Sequence, residues 1–118
     1  MYYDDWFVRH IRAAIEFIAR LVFNSGDVSY EIRDENKRTE TDLLFLRLLA
    51  LLNDGHLNEA ENLLYEELDT NDREHLRLAL DFYKRLNALS DAELESNNFS
   101  REDIVKGVGD IKLLFGIV

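Results

Sequence analysis

From Leu43 to Leu52 the chain is apolar at every position but Arg47. A helix on the surface of a globule shows polar residues every three to four positions, and this stretch shows almost none. The run therefore predicts a helix buried nearly all round, near the centre of the fold. Asp54-Gly55 follows, where glycine takes the left-handed backbone that ends a helix without a Cβ clash. Asn58 is the expected cap of a second helix, Glu59 to Leu68, with Ala60, Leu63, Leu64 and Leu68 on its apolar face. The chain has no proline and only five glycines, and its β-branched residues form no period-two runs. The expectation is all-α: a compact bundle of five or six helices in one domain, residues 1–118.

The remaining helices follow from caps and periodicity. Tyr2 to Phe23 reads as the first, capped by Asp4 or Asp5. Its polar residues Asp5, Arg9, Arg12, Glu16 and Arg20 form one narrow stripe. The apolar arc that remains is too wide for one neighbour, so two helices or a second copy of the protein must cover it. Asn24-Ser25-Gly26-Asp27 stops this helix. Residues 28–38 lack a pattern and read as a loop, either binding or mobile. Thr39 or Thr41 opens the central helix. Asn71 or Asp72 caps a fourth, whose buried face is Leu76, Ala79, Leu80, Phe82, Tyr83, Leu86 and Leu89. Glu74, Arg77, Asp81, Lys84 and Arg85 are assigned to water. Ser90 with Glu93, and Ser100 with Asp103, are capping boxes for a short helix and a last one. Gly107 and Gly109 interrupt that last helix, through close helix approach or poor order near the end.

Composition narrows the function classes. Without cysteine there are no disulfides or thiolate metal sites. No apolar run approaches a membrane span, and nothing resembles a secretory leader, so a cytoplasmic protein with no membrane partner is expected. Acids outnumber Lys and Arg by 24 to 14, and a net charge of −10 disfavours nucleic acid. His56 and His75 stand near acids, but no His-x-x-x-His pair exists, so no metal or other cofactor is expected. Asp69, Asn71 and Arg73 depart from a calcium loop at its fifth position. Gly107-Val108-Gly109 follows no strand, and no serine, histidine and aspartate take triad spacing. His10 reads as a core or interface histidine. No catalytic residue is assigned.

Two resemblances add to this. Gly55, Leu57, Glu59-Ala60 and Leu64 stand where a tetratricopeptide unit carries its glycine, large residue, Glu-Ala pair and second large residue. Leu48, Glu67 and Asp72 depart from that pattern, and no second copy is visible, so the hairpin resembles a single such unit inside a bundle. The whole chain is also similar to a family of small bacterial proteins of unknown function. The likeness rests on Trp6-Phe7-Val8-Arg9 with Phe17-Ile18-Ala19-Arg20, on Asn58 through Leu64, and on Leu80 through Asn87 with Asn98 through Glu102. It implies no activity. The functional expectation is a non-catalytic protein–protein interaction module with an acidic face. Its partner is an unknown basic protein or a second copy joined through the first helix, and a small-ligand bundle lined by Trp6, His10 and Tyr83 is the third reading. Trp6, Phe7, Glu59, Glu66 and Asp69 are the expected partner contacts.

Overall fold

The computed structural model describes residues 2–117, with side chains from residue 6 on. Its regular elements are α1 (Tyr2–Phe23), α2 (Glu40–Asn53), α3 (Leu57–Glu67), α4 (Arg73–Asn87), α5 (Asp91–Ser96) and α6 (Arg101–Leu114). Among the described residues there is no strand, so the fold is a small helical bundle.

Local chemistry sets most of the helix ends. Thr39 Oγ1 accepts the Asp42 N–H at 3.0 Å while the Asp42 carboxylate accepts the Thr39 N–H at 2.9 Å. The same reciprocal box opens α5 at Ser90 and Glu93, and α6 at Ser100 and Asp103. Asp72 caps α4 by accepting the Glu74 N–H at 2.9 Å. Gly55 takes φ +79° between α2 and α3, as a left-handed helix stop requires. Asn58 is not the cap of α3. The helix starts two residues earlier than expected, at Leu57, and Asn58 Nδ2 instead donates to the Asn98 carbonyl at 3.1 Å. Asp4 and Asp5 fall inside α1 rather than ahead of it, and their side chains lie outside the described residues.

The central helix is α4, not α2. It packs against α1, α2 and α6, and buries Leu76, Leu78, Ala79, Leu80, Asp81, Phe82, Tyr83 and Leu86. Removing Leu78 and Leu80 from water contributes about 1.5–3 kcal/mol each. α2 packs mainly on α3 and α4 and buries only Asp42, Leu44, Phe45 and Leu48. Leu43 stays 49% exposed, and Leu46, Leu49, Leu51 and Leu52 are half-buried. A helix apolar on all sides is buried on all sides only where neighbours surround it, and α2 lies at the edge of the bundle.

Hydrogen bonds fix the helix directions. Arg73 reaches the Val22 carbonyl and Asn87 Nδ2 the Val8 carbonyl at 3.1 Å, so α4 runs antiparallel to α1. Arg101 at the start of α6 donates to the Asn87 carbonyl at 2.9 Å, so α6 is antiparallel to α4 and runs beside α1 in the same direction. Close approach explains one of the two helical glycines. A Cβ built at Gly107 would stand within 3.0 Å of the Tyr83 ring and hydroxyl, whereas one at Gly109 would meet nothing within 4 Å.

The segment between α1 and α2 has no helix, but α4 and α2 hold its first half. Val28 and Tyr30 are buried, the Tyr30 N–H donates to Asp81 Oδ1 at 3.2 Å, and its hydroxyl donates to Asp42 at 2.5 Å. Lys84 Nζ adds bonds to the Val28 carbonyl and Asp27, both at 3.1 Å. Asp81, assigned to water by its place in the sequence, is therefore buried as the anchor of this strap, with Arg85 Nε at 2.7 Å balancing its charge.

Candidate functional site

α1 presents more apolar surface than α4 and α6 cover. Trp6, His10, Ala13 and Phe17 are all exposed, at the four-three-four spacing of a coiled-coil seam, and Leu21 follows one turn on. Trp6 is 54% exposed, Phe17 50% and Leu21 56%. Trp6 stacks flat on His10, ring centroids 5.0 Å apart, and meets Phe7 edge-on. Next to this row is a groove of about 200 Å³ between α1 and α6, lined by His10, Ala14, Phe17, Val105, Gly109 and Lys112. The open space over Gly109 belongs to it. Lys112 Nζ lies 5.6 Å from the Phe17 ring centroid, and Leu113 beside it is 74% exposed, with Leu114 half-exposed. His10 is thus a surface group on an aromatic face, not a core residue.

The other side of α1 borders a larger cleft of about 460 Å³, shared with the Gly26–Val28 turn, the end of α4 and Arg101. Val8, Ile15, Val28 and Leu89 supply its apolar wall, and Arg12, Glu16, Lys84 and Asp27 its polar rim. Arg101 is buried at its base. It donates to the Asp91 carboxylate, the Asn87 carbonyl and side chain, and the Leu89 carbonyl, at 2.6–3.2 Å.

A buried polar cluster joins α3, α4 and α6. The fully buried Tyr83 hydroxyl donates to Glu61 at 2.5 Å and lies 3.1 Å from the Tyr65 hydroxyl. Burial pushes the Glu61 carboxyl above its ordinary range, and burial with the Glu61 and Tyr65 contacts pushes Tyr83 far up. Under the strap, burial and then Asp42 raise Tyr30 to about 12, while the Tyr30 hydroxyl holds Asp42 below the usual aspartate range. The first cluster ties three helices together and the second ties the strap to α2, and both are closed by their own partners.

The residues expected to meet a partner lie on separate surfaces. Trp6 is on the α1 face, while Phe7 is half-buried and borders a cleft with Leu94, Phe99 and Arg101. Glu59 and Glu66 line a shallow groove between α2 and α3 with Arg47, Leu51 and Leu63. Asp69 is exposed in the turn before α4, where its carboxylate accepts the Asn71 N–H at 2.9 Å. Trp6, His10 and Tyr83 share no pocket, because the first two stack at the surface and Tyr83 is sealed beneath α6. Glu61, an acid of the same hairpin as Glu59 and Glu66, turns inward to Tyr83. Among the described residues no three His, Asp or Glu side chains come together as metal ligands, and no helix is long and apolar enough to cross a membrane. The sequence reading missed Arg12, Glu16 and Arg101 as cleft residues, and Glu61, Tyr65 and Tyr83 as a unit. Gly107 was the one available signal of the latter.

No curated protein and no solved structure matches the chain. A family model described as a family of unknown function (DUF6483) matches residues 1–116, nearly the whole length, and the chain belongs to that family.

Proposed function

We propose that this protein is a non-catalytic association module that pairs with a second copy of itself through the α1–α6 face. The observation that carries the reading is the exposed row of Trp6, Phe17 and Leu21 beside an apolar groove. At about 200 Å² per large side chain, these three offer roughly 300 Å² of uncovered apolar area. A two-fold pair then buries about 600 Å² from these side chains, and the groove and the rim supply the rest of the roughly 1,000 Å² a specific interface needs. Charge does not oppose a like partner at this face. In sequence α1 sets Arg9, Arg12 and Arg20 against Asp4, Asp5 and Glu16, and α6 balances three basic residues with three acidic ones. The acidic hairpin, source of much of the −10 charge, stays away from the contact.

A second reading places a basic protein surface on the α2–α3 hairpin. It is supported by Glu59 and Glu66 in one groove and by the hairpin's likeness to a tetratricopeptide unit, with Leu57, Ala60 and Leu64 buried. Trp6 serves the first reading and Glu59 and Glu66 the second; Phe7 supports the wall behind Trp6, and Asp69 adds to the negative rim.

Sedimentation equilibrium from low to high micromolar concentration tests the first reading. The wild type is expected at twice the 13.9 kDa chain mass and Phe17→Glu at the chain mass, with unchanged helical content. A wild type that stays monomeric throughout overturns it. The second reading requires a basic partner whose capture weakens with salt and with Glu59→Gln/Glu66→Gln, and a salt-independent partner overturns it.

A further inference from the structure

We infer that the cleft between α1 and the end of α4 binds a small zwitterion, an α-amino acid with an apolar side chain. The cleft holds about 460 Å³, within the range of ligand pockets, and mixes an apolar wall with a few polar groups. Its charges sort into those already used and those left over. Lys84 is committed to Asp27 and Val28, and Arg101 to Asp91, Asn87 and Leu89. Arg12 and Glu16 have no hydrogen bond or ion pair among the described residues, although both border the cleft. They stand one helical turn apart, yet do not pair with each other. Arginine ahead of glutamate is the weaker order for such a pair, so the geometry costs little to keep open.

One free cation and one free anion over an apolar wall match a ligand with a carboxylate and an ammonium on one carbon and a hydrocarbon side chain. The guanidinium of Arg12 is suited to grip the carboxylate with two parallel bonds, and Glu16 to accept the ammonium. Val8, Ile15, Val28 and Leu89 then take the side chain. A plain anion leaves Glu16 opposed to it, and a plain cation leaves Arg12 opposed. The cleft is on the α4 side of α1, so this inference does not depend on self-association.

The test is a titration of the full chain, followed by amide NMR, with leucine and phenylalanine, with N-acetyl-leucine, and with leucine methyl ester. Saturable shifts at cleft residues with the free amino acids are expected, and at least a tenfold weaker response with either blocked form, about 1.4 kcal/mol. Arg12→Gln should lose discrimination against the ester and Glu16→Gln that against the acetylated form. Both side chains reach solvent, so the variants should keep their helical spectrum. The inference is overturned if no amino acid saturates by about 10 mM, the weak end of specific recognition, or if the blocked forms or both variants bind as well.

Discussion

Gly107 and Gly109 are two residues apart in one helix, and alanine at each should have opposite effects. In isolation each substitution removes backbone freedom from the unfolded chain and gains about 1 kcal/mol of helix stability. At Gly109 nothing stands within 4 Å of the new methyl group, so Gly109→Ala should keep that gain. At Gly107 the methyl group would fall within 3.0 Å of the Tyr83 ring and hydroxyl. Tyr83 is fully buried, edge-on to Phe82 and bonded to Glu61, so it has no free volume to move into. Overpacking costs about 1–3 kcal/mol, and displacing the hydroxyl from the Glu61 carboxylate about 1.5–3 kcal/mol more. Set against the propensity gain, Gly107→Ala should lose about 1.5–5 kcal/mol. Urea unfolding followed by far-UV circular dichroism, at one protein concentration, measures both. Tyr83→Leu supplies the control: once the ring is gone, Gly107→Ala should no longer be destabilising, a coupling between contacting residues. If Gly107→Ala is as stable as the wild type, or equally harmful without the ring, the close-approach argument is wrong.

Asp81→Ala should cost about 1–3 kcal/mol by leaving the Tyr30 N–H buried without an acceptor, and exchange of that amide should quicken; Asp81→Asn should recover part of it. Tyr30→Phe removes the bond that holds Asp42 low. That contribution is present above the ordinary aspartate value and lost as pH falls through the folded one. The gap in stability between wild type and variant should therefore be open at neutral pH and close in acid. Glu61 behaves in the opposite sense. Burial raises its folded value, so its contribution is complete below the unfolded glutamate range and is lost as pH rises through the raised one. Stability of the wild type against pH should show this decline, and Glu61→Gln should flatten it while keeping an acceptor for Tyr83; an unchanged slope would remove Glu61 as its source.

What could be read from the sequence was mostly local. The boxes at Ser90 and Ser100, the choice of Thr39 or Thr41 as a cap, which falls to Thr39, and the turn at Gly55 rest on spacings of a few residues, and they stand as expected. Burial of whole helices was harder, because an apolar run records what a helix tolerates and not which neighbours it finds. Leu43–Leu52 satisfied the pattern of a central helix and lies at the edge, while the mixed sequence of α4 fills the middle. Its longer charged residues reach out from both ends, and Asp81 is neutralised in place by Arg85 and the Tyr30 amide. The Glu61–Tyr83 bond and the cleft at Arg12 and Glu16 each need segments far apart in the chain, and no short-range pattern encodes them. The wide apolar arc of α1 was legible, and so was its demand for more than one neighbour. That two neighbours leave Trp6, Phe17 and Leu21 uncovered required the packed bundle.

The placing of α1 between α4 and α6 has a consequence for the order in which the molecule is made. Synthesis releases α1 ahead of the five helices that follow it, with its broad apolar arc, and of the two that shelter it α6 emerges only after the others. The α2–α3 hairpin and its contact with α4 involve near neighbours in sequence and can form while the chain is still growing. The first helix has to wait. For that interval it is the segment most open to chaperones or to a neighbouring nascent copy, so synthesis on clustered ribosomes would bring two such helices together before either has its α6.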